Sequence, residues 1–250
     1  MKRYMEEEIK LGKWTEDSLD CLLNDASAIN DSGVRVDLLS RQFLKTPYKE
    51  STLTGDSQTS EVFVVNLEGL DCFTLVDYVE AMRRSNSFSF FKENLKKVRY
   101  RSGEVTFKDR NHFFTDWIAF SSDYIADVTK QIGAEKCKNV QKRLNEKKDG
   151  TVFLPGIDCR FREITYIPSK YVGENVLKKL KTGDYVGIYS EKEELDVSHV
   201  GILIKENDTI NLRHASLLRK QRKVVDEDFK VYVKNKPGII VLRTIDTVHR

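Results

Sequence analysis

From Leu180 onward the sequence is cut into short runs, GDYVGIYS, SHVGILI, TINLRHAS and GIIVLRTI, each rich in Val, Ile and Tyr and bounded by Gly, Asp, Asn or Pro. Runs of this kind pair into an antiparallel sheet. The first half is patterned differently. Residues 4 to 24 read as an amphipathic helix or pair of helices around Trp14, Leu19, Leu22 and Leu23, and VDLLSRQFL (36 to 44) continues at helical spacing. A Ser-, Thr- and Gly-rich loop (45 to 60) leads to a short strand in EVFVVNL. SFSFFKENLKKVRY and RNHFFTDWIAFSSDYIADVTKQI are expected to pack as helices, the second through Trp117, Ile118, Tyr124, Ile125 and Val128. KCKNVQKRLNEKKDGTVFLPG is expected to be charged surface, and RFREITYIPS to be a strand. Helices followed by strands give an α+β fold rather than alternating βαβ units.

The chain of 250 residues, 40% hydrophobic, is long enough for one well-packed core with an extra lobe. Its 42 Lys and Arg against 39 Asp and Glu leave a net charge of +3, spread over the surface rather than gathered into a stripe for nucleic acid. KKVRYR (96 to 101) and LRKQRK (218 to 223) are the densest basic runs and fit solvated faces. No apolar run approaches the ~20 residues of a membrane span, and the start, MKRYMEEEIKLGKW, lacks the apolar centre of a signal peptide. The sequence as written is expected to be cytoplasmic and monomeric, with an envelope location if a leader has been cleaved. Cys21, Cys72, Cys137 and Cys159 are far apart and show no metal-binding or disulfide spacing.

One cysteine stands out. In NLEGLDCFTLVDYVEAMRR (66 to 84), Gly69 and Leu70 close a loop, Asp71 stands where an N-cap belongs, and Phe73, Val76, Val79 and Met82 recur every three residues. Cys72 is thereby set in the first helical turn, where unpaired N–H groups and the helix dipole favour a thiolate, the nucleophilic form. A small buried apolar cysteine is the plain alternative. What selects between them lies downstream.

Of four histidines, His112, His199, His214 and His249, two fall on consecutive strands. If SHVGILI and TINLRHAS pair across a four-residue loop, Lys205 to Asp208, then Leu203 faces Ile210, Gly201 faces Leu212 and His199 faces His214. A one-residue slip would mix apolar and polar faces. Directly opposed side chains lie about 5 Å apart, so the imidazoles should touch. A thiol at a helix start, plus a histidine whose second nitrogen is held by another polar group, suffices for nucleophilic catalysis. The expectation is Cys72 as nucleophile, His199 as base and acid, and His214 as orienter, with the Cys72 backbone N–H as one oxyanion donor. A structural histidine pair and a Cys-His-His zinc site remain alternatives, but nothing nearby supplies a further zinc ligand, so no metal or cofactor is expected. Asp116 beside Trp117 could hold and stack on a polar ligand, although a buried Trp is the plainer reading.

LDCFTLVDYVEA, LKTGDYVGIYS, SHVGILI and LRHAS resemble the motifs of the NlpC-type papain-like cysteine amidases and peptidases of bacterial cell walls. More closely, NLEGLDC, FTDW, LDVSHVGI and LRHAS resemble the N-acetylmuramoyl-L-alanine amidase-like family, domain-of-unknown-function family 1460, over most of residues 60 to 245. The resemblance implies a helix-borne cysteine packed on a small antiparallel sheet, with an additional helical lobe. It implies one domain over 1–250: a helical part (1–60), the nucleophile segment (61–85), a helical lobe (86–150) and the histidine-bearing sheet (151–250). Cys72, His199 and His214 match the triad, and Asp116, Trp117 and Tyr166 match positions near the cleft. The implied partner is a peptidoglycan fragment, a muropeptide that can carry an anhydro-sugar, cleaved between N-acetylmuramic acid and L-alanine. A stem-peptide endopeptidase and a non-catalytic wall-binding module are the alternatives, and a glycosidase lacks a singled-out carboxylate pair.

Overall fold

A computed structural model describes residues 7–120 and 123–245. The chain forms two compact units, one from the described residues up to Asn111 together with Ala215–Val225, the other from His112–His214 and the described residues from Asp226 onward.

The first unit holds β1 (Glu7–Lys10), α1 (Glu16–Ser27), α2 (Ser32–Arg41), β2 (Phe63–Asn66), α3 (Cys72–Arg83) and α4 (Phe88–Arg99). Each helix starts on a side-chain cap. Thr15 and Ser18 form a reciprocal box on α1, Asp31 accepts from the Val34 N–H on α2, and Ser87 accepts from the Phe90 N–H on α4. β1 and β2 pair in parallel. The stripe expected on α3 is there but is part of something larger, because Thr74 to Arg83 are all buried. Its polar members are accordingly paired: Arg99 Nε meets Asp77 at 3.1 Å and Arg99 Nη1 donates to the Val64 carbonyl at 2.6 Å, while Arg83 forks onto Glu80. Burial raises the Asp77 carboxyl to about 6, against the pull of Arg99.

The second unit is built on a sheet. Along the chain it contains α5 (Asp116–Phe120), β3 (Ile125–Asp127), α6 (Thr129–Gly133), β4 (Lys138–Leu144), β5 (Arg160–Pro168), α7 (Glu174–Lys179), β6 (Tyr185–Tyr189), β7 (Val197–Glu206), β8 (Thr209–Ala215) except its last residue, β9 (Val224–Asp228) except its first two, α8 (Phe229–Val233) and β10 (Gly238–Thr244). The strand order is β4-β5-β10-β6-β7-β8-β9, with β3 added alongside β10. One face presents Val186, Ile188, Leu203, Leu212, Ile239 and Val241, sealed by Val128 and Ile132, by Val176 and Leu177 of α7, and by Phe229 and Val233 of α8. On the other face Trp117 meets Tyr185 edge-on at 5.2 Å, and Phe114 lies so close to Gly187 that an added Cβ would come within 2.7 Å of its ring.

Several expectations change. The stretch 110–132 is not one helical run: α5 and α6 are short, with β3 between them. KNVQKRL is exposed at four of its seven positions, as expected of surface, but it is also a strand, β4, which pairs in register with β5 from Lys138↔Tyr166 to Leu144↔Arg160. EEIK, placed in a helix by its neighbours' spacing, is drawn into β1 by β2. The β7–β8 register also differs. The turn has two residues, Asn207 and Asp208, and the pairs run from Glu206↔Thr209 to Ile202↔Arg213. Asn207 takes φ +50°, the left-handed conformation that two-residue hairpins need. Pairing is thus offset by two residues from the expected register. A two-residue offset keeps every side chain on its face, so the apolar pattern could not detect it. Among the described residues no helix is long and apolar enough to cross a membrane.

Candidate active site

Cys72 is the first residue of α3. Asp71 caps the helix as the sequence predicted: its carboxylate accepts from the Phe73 and Thr74 N–H groups at 3.0 and 2.8 Å, and the Asp71 N–H donates to the Thr74 hydroxyl at 2.9 Å. The cap fixes the first turn and leaves the half-buried Cys72 on a rigid backbone. Tyr48, bridged to Leu70, is a neighbour the sequence did not single out. Burial pushes its phenol up to about 12, assisted by the negative charge that Cys72 and Asp71 carry when ionised, so it stays a protonated donor.

In the second unit His199 comes from β7 and His214 from β8. Because of the two-residue offset they are diagonal rather than directly opposed, yet His199 Nε2 and His214 Nδ1 lie 2.7 Å apart with the rings edge-on, centroids at 4.8 Å. Diagonal partners on one sheet face remain within reach of ring side chains. Beyond His214, its Nε2 stands 3.5 Å from Glu227 Oε1, close enough for the charge to be felt although neither atom makes a hydrogen bond. Glu227 lies on β9, which the sequence reading did not recognise. The carboxylate selects the tautomer: with Nε2–H of His214 toward Glu227, His214 Nδ1 accepts from Nε2–H of His199, and His199 Nδ1 keeps its lone pair. The opposite assignment would turn a bare nitrogen toward a carboxylate.

Both rings are buried, His199 at 9% and His214 at 2% exposure. Burial lowers the His199 pKa to about 3, with smaller contributions from His214 and Lys236. His214 is lowered as well, chiefly by burial and against the pull of Glu227. Both imidazoles are therefore neutral at pH 7. The unfolded chain binds protons near pH 6.5 that the folded chain refuses, so this contribution to stability is complete above pH 6.5 and lost as pH falls toward 3. Lowering pH from 7.5 to 4.5 is expected to cost about 2 to 3 kcal/mol through His199. Asp77, raised in the folded state, works in the opposite sense over its own window. Denaturant unfolding of the wild type and His199→Gln at both pH values isolates the histidine, since the variant should lose less.

Asp116, Trp117 and Tyr166, expected at the cleft, are engaged otherwise. Asp116 is fully buried, and its carboxylate accepts from Arg160 Nη1 at 2.7 Å, Arg162 Nη2 at 2.9 Å and the His112 and Phe113 N–H groups. Trp117 is also fully buried, against Phe114 and Tyr185. Tyr166 is partly exposed and stacks on Tyr189 with centroids 3.8 Å apart. Sheet pairing puts His199 in a row with Ile188, Ile239 and Ile167, so Tyr166, adjacent to Ile167, points to the other face. Truncating Asp116 strands two guanidiniums, and Asp116→Ala is expected to destabilise the protein by about 3 to 5 kcal/mol in chemical denaturation. Among the described residues no group of three or more His, Cys, Asp or Glu is arranged to hold a metal ion, and His249 lies outside the described residues.

The architecture is that of an α+β protein whose helices and antiparallel sheet recur in solved structures. It matches a Legionella pneumophila protein of domain-of-unknown-function family 1460 with a TM-score of 0.77 at 22% identity, over 92% of this chain and 94% of that one. It also matches an N-acetylmuramoyl-L-alanine amidase from Bacteroides uniformis with a TM-score of 0.71 at 28% identity, over 86% of this chain and 99% of that one. The family model for AmiA-like, N-acetylmuramoyl-L-alanine amidase-like proteins matches residues 38–239, and the chain belongs to that family. Among curated proteins no relative matches.

Proposed function

We propose that this protein is a cysteine amidase that hydrolyses the bond between N-acetylmuramic acid and L-alanine in peptidoglycan fragments, including anhydro-sugar forms. In this reading the fold is papain-like, of the NlpC type, and the two units act as one amidase domain. The observation that carries it is the 2.7 Å bond between His199 and His214, which leaves a neutral imidazole with one uncommitted nitrogen. A neutral base is what a thiol needs.

His199 Nδ1 takes the Cys72 proton, and the sulfur attacks the lactyl carbonyl of the muramic acid. The oxyanion receives the Cys72 N–H, and the Tyr48 hydroxyl is the second donor this reading favours. The imidazolium formed on His199 is steadied by His214 and, through it, by the Glu227 carboxylate. It then gives its proton to the leaving amine of L-alanine. The remaining thioester is attacked by water, whose proton His199 accepts, and the freed sugar acid leaves Cys72 as it began. Asp116 and Trp117 contribute from behind the sheet surface by holding Arg160, Arg162 and Tyr185, and Tyr166 lies on that same face, stacked on Tyr189.

Mass spectrometry of the products from a defined disaccharide-peptide tests the bond cleaved. Free sugar plus intact peptide is the expected result. A shortened glycopeptide would make the protein a stem-peptide endopeptidase instead, and unchanged substrate would make it a binding module.

A further inference from the structure

We infer that Tyr232 is a positioning residue for the imidazole pair, its ring holding His214 in the orientation that turns Nδ1 toward His199; the reaction this serves rests on the amidase reading. Little else fixes that imidazole. Of its two nitrogens Nδ1 is bonded to His199, at 2.7 Å, whereas Nε2 is buried without a hydrogen bond. Glu227, 3.5 Å from Nε2, therefore supplies charge but no directed contact. A ring tethered at one nitrogen can swing about its Cβ–Cγ bond, and the swing stretches the bond to His199 out of range.

Tyr232 stands against both rings. Its centroid lies 5.0 Å from that of His214, with the planes tilted by 59°, and 6.2 Å from that of His199, tilted by 40°. These are the separations of aromatic rings in packing contact. Tyr232 is itself placed by α8. Phe229 and Val233, one turn apart, fill the core on one face of the sheet, and Tyr232 packs against that core. Asp228 caps the helix, accepting from the Val231 N–H at 2.8 Å. Lys236 Nζ, 5.0 Å from the Tyr232 centroid, adds a cation–π contact. The charges that act on the pair are Glu227 and Asp226 of β9, the latter forked onto Arg213, and Lys236 just after α8. None of them bonds to an imidazole nitrogen, so the orientation of His214 is left to packing. A swinging His214 would free the tautomer of His199 and misdirect its lone pair, which slows proton transfer and leaves substrate binding alone.

Tyr232→Leu, which keeps an apolar side chain on α8 but removes the ring, is tested beside Tyr232→Phe, which keeps the ring. Circular dichroism checks that both are folded, and Tyr232→Met gives the same reading should the leucine variant fail to fold. The expected result for Tyr232→Leu is kcat lower by about tenfold to a hundredfold with KM within about twofold of wild type, and Tyr232→Phe close to wild type. Nitrogen-15 NMR of histidine-labelled protein at pH 7 reads the pair without turnover. Wild type and Tyr232→Phe should show His214 as one tautomer with the proton on Nε2, and Tyr232→Leu should show signals averaged between its two nitrogens. A single His214 tautomer in Tyr232→Leu, an unchanged kcat, a loss confined to KM, or a loss in Tyr232→Phe as large as in Tyr232→Leu would overturn the proposal. Failure of the amidase reading appears separately, in the product assay on wild-type protein, and leaves the NMR comparison to decide whether Tyr232 holds the pair.

Discussion

Replacing Cys72 with alanine is expected to lower kcat/KM on the sugar–peptide amide by on the order of 10⁴ or more, with the fold unchanged. The size follows from the chemistry, because without the sulfur there is no covalent route and water must attack the amide directly. The folded state should hardly register the change. The α3 cap is made by Asp71 and Thr74, and Cys72 is half-buried rather than part of the packed interior. Cys72→Ser is the sharper variant, since it keeps an O–H of similar shape but replaces a readily ionised nucleophile with a poorly ionised one. Activity within tenfold of the wild type in either variant would remove the cysteine from the mechanism.

The second large effect belongs to the imidazole pair. His199→Ala should reduce kcat by on the order of 10³ to 10⁴, since both the proton acceptor and the proton donor to the leaving amine disappear. His214→Ala should cost on the order of 10² or more and act on kcat rather than KM, because it leaves the base in place but frees its tautomer and orientation. The pH profile gives a further check. With His199 held to about 3 in the free protein, its neutral form persists well below the ordinary imidazole value of 6.5. The acid limb of kcat/KM should therefore fall below pH 6.5. In Glu227→Gln the partner charge that favours protonation of His214 is gone, so the limb should move lower still while kcat drops.

The nucleophile helix was legible because everything that defines it is local. An aspartate cap, a threonine three residues on and an apolar run after it act within a few residues, and they form the box seen in the structure. The histidine contact was legible for a different reason: face parity depends only on alternation, and His199 and His214 share a face in either register. The register itself was not, since an offset of two leaves alternation intact and the decision rests on a two-residue turn at Asn207 and Asp208. Glu227 stayed hidden because VVDED carries little apolar signal, and its strand is recognisable only from its neighbours in the sheet. Asp116 and Trp117 looked like ligand-binding groups until their partners were known. The arginines that claim the carboxylate come more than forty residues later, and the tyrosine against the indole later still.

All of this depends on a sulfur that becomes acylated during turnover, which rapid quenching into acid followed by intact mass and peptide mapping measures directly. Mixing the protein with a muramoyl-peptide and quenching within a turnover should give a protein heavier by the muramoyl acyl group, with the added mass on the peptide that contains Cys72 and absent from Cys72→Ala. Full turnover with no adduct at any quench time, or an adduct on a different residue, would contradict the account.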